Sequence, residues 1–199
     1  MKNSLLLRSA LALAMATPLM ASAESQLVTG AGNAAARLDF RVIVPRVLFL
    51  GVGTGAAAAT PANNTTIDTV TFDYTANPAA VGTGAAAGTI TGNVVPVRVI
   101  GNNGQITLAA STTGALTNAT ADTIAWSEIT ATSNQAATLP SPVIPNTGAG
   151  AASNVSLSSG TKVTDRSANW TFSYANSAVV APGTYGTTNG RVTYTASMP

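Results

Sequence analysis

Apolar and polar positions alternate most cleanly in residues 37–52, RLDFRVIVPRVLFLGV. Leu38, Phe40, Val42 and Val44 fall on one face and Arg37, Asp39 and Arg41 on the other, a period of two that predicts a strand with one buried face. Pro45 removes a backbone donor and fixes φ, which ends that strand. Val47, Leu48, Phe49 and Leu50 then run apolar without alternation, the pattern of a strand buried on both faces. Gly51, Gly53 and Gly55 close the segment.

The rest of the chain repeats the period in shorter pieces. Residues 67–74 place Val70, Phe72 and Tyr74 on one face, and 89–91 is long enough for a short strand. Residues 94–100 and 105–110 flank Gly101-Asn102-Asn103-Gly104; because Asn and Gly accept positive φ, this reads as a hairpin, with Pro96 marking its first strand as an edge or a bulge. Residues 122–129 predict a strand with Ile124 and Trp126 inward, 155–158 a short strand, 170–174 a strand with Trp170, Phe172 and Tyr174 inward, and 190–197 a strand carrying Val192, Tyr194 and Ala196. Residues 53–64 and 76–88 are loops of small residues, and 130–153, with three prolines and two glycines, is a long connection. Residues 24–36 hold few apolar anchors and predict a mobile tail. Beyond residue 23 no helical period is sustained. Eight or nine short strands between turn residues predict an all-β antiparallel sandwich.

The first residues stand outside that pattern. Lys2 and Arg8 flank a leucine-rich start, residues 10–19 are largely apolar, and Ala21-Ser22-Ala23 supplies a small-residue cleavage pattern, so residues 1–23 predict a secretory signal cut before Glu24. The apolar run is too short to span a bilayer comfortably, and no later segment reaches that length. Two of the nine basic residues leave with the signal, so seven basic side chains face seven acidic ones in the exported chain. That balance predicts neither nucleic acid nor an anionic membrane surface as partner. The chain is expected in the periplasm in transit and then at the cell surface or outside.

The missing residue types narrow the chemistry. With no cysteine, export brings no disulfide, and stability must come from sheet burial or from a partner. With no histidine as well, the usual zinc, thiol and imidazole sites are gone, and no metal or other cofactor is expected. Ser159-Gly160-Thr161-Lys162 matches a Ser-x-x-Lys pattern, yet it reads as a turn where that chemistry needs a helix. The glycines near 51–55 and 82–88 lack the lysine and the following helix of a phosphate loop. Asp39, Asp68, Asp73, Asp122, Glu128 and Asp165 are scattered, without the spacing of a calcium loop or an acid/base pair. Asn63, Asn64, Asn118, Asn154 and Asn169 lie in glycosylation sequons. Trp126, Trp170, Phe172, Tyr174, Tyr185 and Tyr194 suit a sugar-binding platform if outward and a core if inward, and alternation favours the core for the inward ones. No catalytic residue is expected.

Two stretches resemble a known family. The alternating strand followed by Val44-Pro45-x-Val47-Leu48-x-Leu50 is similar to the start of alternate chaperone–usher fimbrial subunits of the coli-surface-antigen type. Pro182-Gly183-x-Tyr185-Gly186 with Val192-Thr193-Tyr194-Thr195 is similar to the final strands of those subunits and of spore-coat-protein-U-like secreted proteins. The likeness covers the two ends, roughly a quarter of the exported chain by the residues quoted; the middle agrees only in strand count. It implies an immunoglobulin-like sandwich that is incomplete and completed by strand donation. On this sequence, residues 37–199 would form one sandwich domain, with 37–45 the candidate donor strand and 46–199 the body. Leu38, Phe40, Val42 and Val44 would fill a neighbour's groove. The contact would be head-to-tail and build an open homo-polymer, with a periplasmic chaperone and an outer-membrane usher as partners. Residues 24–36 have no counterpart in that scheme. Two alternatives stay open: the strand pairs within its own chain, or the protein is a monomeric secreted binding module or adhesin for surface carbohydrate.

Overall fold

The computed structural model describes residues 24–56 and 60–199. The expected signal peptide, residues 1–23, lies outside the described residues. The chain forms two compact units, Met1–Val44 and Pro45–Pro199.

In the first unit, described residues 24–44 contain neither helix nor strand. A bend at 30–32 returns the tail on itself: the Ala35 N–H donates to Gln26 Oε1 at 3.0 Å, and Arg37 Nε lies 3.1 Å from Glu24 Oε2. Both charges of that pair are well exposed, so it contributes little.

The second unit is an all-β sandwich. Its strands are β1 (Leu48–Val52), β2 (Thr71–Asp73), β3 (Thr89–Thr91), β4 (Val94–Gly101), β5 (Ile106–Thr112), β6 (Leu116–Thr117), β7 (Thr123–Ile124), β8 (Ile129–Ser133), β9 (Gly148–Ala149), β10 (Ser153–Val155), β11 (Thr164–Tyr174) and β12 (Thr193–Ser197). One sheet runs β1-β4-β11-β8 and the other β10-β5-β12, with β9 also on β5; β2-β3 and β6-β7 are small two-stranded additions. All pairings are antiparallel. Between the sheets lie Val95, Val97 and Val99 of β4, Ile106 and Leu108 of β5, and Ala168, Trp170 and Phe172 of β11. Only alternate residues of these strands are buried, as a pleated sheet with one core face requires.

Several expectations change. Residues 94–110 do not form a hairpin: β4 and β5 belong to different sheets, so Gly101-Asn102-Asn103-Gly104 is a corner between layers. Of those four, Gly104 takes the positive φ, 111°, while neither asparagine does. β4 is central rather than an edge. Pro96 is tolerated because the β1 ladder stops at Val52↔Val97, which leaves Pro96 paired only with Asn169 of β11. β1 is an edge strand rather than one buried on both faces, because β4 is its single partner. Residues 130–153 are not only a connection: they begin in β8 and carry Leu139 and Ile144 into the core. The strand expected over 122–129 shrinks to β7, with Trp126 on a single turn of 3-10 helix, though Ile124 and Trp126 are buried as the pattern predicts.

Candidate assembly site

The two margins of the sandwich differ. On the β8/β10 side the connection covers the opening: Leu139, Pro142 and Ile144 are buried there, Ser133 Oγ donates to the Leu139 carbonyl at 2.7 Å, and the Ser156 N–H donates to the Thr138 carbonyl at 2.8 Å. On the other side β1 ends one sheet and β12 ends the other, and among the described residues no strand pairs with their outer edges. The strands lie near each other without a ladder. They run in opposite directions, because each is antiparallel to one strand of the β4–β5 corner.

The side chains along this margin are less buried than those of the strands beside them. Register places Leu50 and Val52 opposite Val99 and Val97, and Tyr194 and Ala196 opposite Ala110 and Leu108, so all four point inward. Val97, Val99, Leu108 and Ala110 are 0–1% exposed. Leu50, Val52, Val192, Tyr194, Ala196 and Met198 are only half-buried, and Leu48 is 41% exposed. Burial therefore steps down from each inner strand to the edge strand beside it. Beneath the margin, the Tyr194 ring lies 5.1 Å from that of Trp170, and neither the Tyr194 hydroxyl nor the Trp170 indole N–H has a hydrogen-bond partner among the described residues. Burial pushes the Tyr194 hydroxyl far above the ordinary tyrosine range.

One end of the margin is clasped. Asn102 Nδ2 donates to the Pro45 carbonyl and its Oδ1 accepts from the Val47 N–H, both at 2.8 Å. Asn103 Nδ2 donates to the Pro199 carbonyl at 2.7 Å, and Arg46 donates to the Met198 carbonyl at 2.9 Å. The corner that the sequence reads as a turn thus fixes both the start of β1 and the end of the chain with side-chain amides. The Asn-Asn pair marked this place but not its purpose.

The four residues expected to pair with such an edge lie in the first unit. Leu38, Phe40, Val42 and Val44 are 76%, 87%, 85% and 73% exposed, in a segment with no strand assignment. The buried face expected for residues 37–44 is therefore absent: a strand needs a partner edge, and no ladder includes these residues. Ile43, on the face with Asp39 and Arg41, is equally bare at 76%.

Other candidates resolve into structural roles. Asp68 accepts from the Thr54 hydroxyl and, at Oδ2, from the Thr54 N–H, and Asp73 Oδ1 accepts from the Thr75 hydroxyl and N–H; these bonds, the hydroxyl ones first, hold both carboxyls below their ordinary value. Asp122 is lowered by Thr120 and Asn118, and Glu128 by Ser177. Asp165 pairs with Arg98 at 3.4 Å. Among the described residues no cluster of acidic side chains could hold a metal ion. Ser159 and Lys162 sit on an exposed turn closed by the Ser159↔Val163 bridge. Asn118 is buried in an Asx turn, accepting from the N–H groups of Thr120 and Asp122, which removes that sequon from the surface; Asn154 and Asn169 are exposed. Trp126, Trp170 and Phe172 are buried, so they form no sugar-binding platform. Among the described residues no helix is long and apolar enough to cross a membrane. Comparisons of the chain with family models, with curated proteins and with solved structures each returned no match.

Proposed function

We propose that this chain is an exported, non-enzymatic structural subunit of a surface fimbria- or pilus-like polymer, assembled by donor-strand exchange. Residues 37–44 of one copy lie along the open β1/β12 margin of the next, and Leu38, Phe40, Val42 and Val44 finish its core. The observation that carries this reading is the match of two halves: one margin of half-buried inward side chains, and one segment of alternating, largely exposed apolar ones. Eight extended residues span about 26 Å, enough to run the length of either edge strand. Covering Leu, Phe and two Val side chains stabilises by roughly 1.5–3 kcal/mol each before the costs of association. Donor and acceptor surfaces differ, so the contact repeats head-to-tail without closing. An unfilled margin also exposes strand edges that pair indiscriminately, which supports a periplasmic chaperone covering it before an outer-membrane usher joins the subunits.

Size-exclusion chromatography with light scattering of residues 24–199 tests the proposal. The wild-type chain should form a ladder of multiples, and Phe40→Asp with Val42→Asp should collapse it to a cooperatively folded monomer that melts below the assembled wild type by what the filled margin adds, since both side chains are bare in the isolated chain. A wild-type chain that stays monomeric at every concentration, or a double variant that assembles as well as wild type, contradicts it.

A further inference from the structure

We infer that the three-residue link Pro45-Arg46-Val47, held by Asn102, prevents the chain from filling its own margin and so forces donation to a second copy. The inference rests on the strand-donation reading. It comes from counting residues. To cover its own margin, the segment ahead of Pro45 must fold back antiparallel along the outer edge of β1, since a parallel return needs a crossover of about a dozen residues. Residues facing each other across an antiparallel pair share a face, as Leu50 and Val99 do. The inward row of β1 is Leu48, Leu50 and Val52, all even-numbered, as are Leu38, Phe40, Val42 and Val44.

Loop length then decides which row faces the core. A two-residue loop at Pro45-Arg46 sets Ile43 against Leu48, Arg41 against Leu50 and Asp39 against Val52, which turns the charged row inward; a four-residue loop gives the same pairs. The two-residue loop is barred again because its favoured turns need positive φ where Pro45 is held near −65°. Only a three-residue loop, Pro45-Arg46-Val47, brings Val44 opposite Leu48 and keeps the whole apolar row inward. Its usual geometry, a type I turn followed by a left-handed residue, assigns that last conformation to Val47. A β-branched side chain resists it. The Val47 N–H is also already given to Asn102 Oδ1, and the Pro45 carbonyl to Asn102 Nδ2, so the side-chain amide continues the β1/β4 ladder one rung past Leu48↔Gly101 and holds the link against reversal. A five-residue loop keeps the parity but takes Val44 out of the strand.

The test gives the link the turn it lacks. In the chain 24–199, Val47→Gly with Asn102→Ala frees the N–H and supplies a residue at ease with positive φ, so Pro-Arg-Gly becomes a favourable three-residue turn. This variant should run as a monomer at all concentrations, decline a peptide of residues 36–45, and protect its amides at 38–44 from hydrogen exchange. Val47→Ala with Asn102→Ala loses the same contacts without gaining the turn and should still assemble. A Gly/Asn insertion of about six residues between Val44 and Pro45, with the clasp intact, should also close the chain on itself even where the substitutions impair folding. If wild type assembles and both the Gly variant and the insertion assemble as fully, the link is not the barrier and this inference fails while strand donation stands. If wild type neither assembles nor binds the peptide, the donation reading falls and this inference with it.

Discussion

Single residues show why the body has its shape. Gly53 leaves β1 with φ 77°, and a Cβ there would sit 2.0 Å from Asp68 Oδ2, the oxygen that accepts from the Thr54 N–H. Replacing Gly53 by Ala should cost roughly 1–3 kcal/mol, read as a lower urea midpoint with an unchanged slope; a variant within a few tenths of wild type would show that the turn is not held this way. Asn176 makes a comparable knot: buried, with φ 51°, it accepts from the Gly82 N–H and donates to the carbonyls of Ala80 and Ala85. Neither role was visible in the sequence. A residue's neighbours across the fold decide whether a Gly or an Asn is a turn, a clasp or a buried bracket, and the sequence states only that it is capable of each.

At the scale of elements, alternation was the legible signal. It located the inward faces of β12 and of the second half of β11 and identified Ile124, Trp126, Trp170 and Phe172 as buried. What it missed was which strands meet. The 94–100 and 105–110 pair has the local signature of a hairpin, yet the corner carries the chain between layers, and each strand pairs elsewhere: β4 with β1 and β11, and β5 with β10 and β12. The start of β11, residues 164–169, was missed because two of its three inward positions, Thr164 and Arg166, are polar and the third, Ala168, is small. The Arg166 guanidinium donates to the Ser156 and Leu157 carbonyls, which is how a charged side chain is tolerated on that row. The apolar half of the candidate site, residues 37–44, was plain in the sequence; its receiving margin was not, since half-burial of β1 and β12 arises only once both sheets are assembled.

The whole molecule depends on backbone pairing, burial and neutral polar side chains far more than on charge. Asp68, Asp73 and Asp122 are held below the ordinary 3.8, and Glu128 below 4.5, by hydrogen bonds to the ionised form. Their contribution is complete above those ordinary values and is lost as pH falls through the depressed ones. The Tyr194 hydroxyl, raised by burial, acts in the opposite direction: its contribution is complete below the ordinary tyrosine value of 10.0 and is lost as pH rises above it. With no histidine between, the melting temperature should be flat from about pH 5 to pH 9 and fall on both sides. Tyr194→Phe, which also removes an unpartnered buried hydroxyl, should soften the alkaline fall and leave stability at neutral pH unchanged or slightly raised. A titration centred near neutrality would contradict this account.

The central claim is that the body lacks a strand that residues 37–44 supply. The most direct measurement is a thermal melt of the chain 46–199 with and without a peptide of residues 36–45. At roughly 2–4 °C per kcal/mol for a chain of this size, a filled margin should raise the midpoint by about 10 °C or more, saturating at one peptide per chain. A peptide with Phe40→Asp and Val42→Asp should do nothing. A body that melts cooperatively at the same temperature with and without the wild-type peptide would mean that the margin between β1 and β12 is already complete.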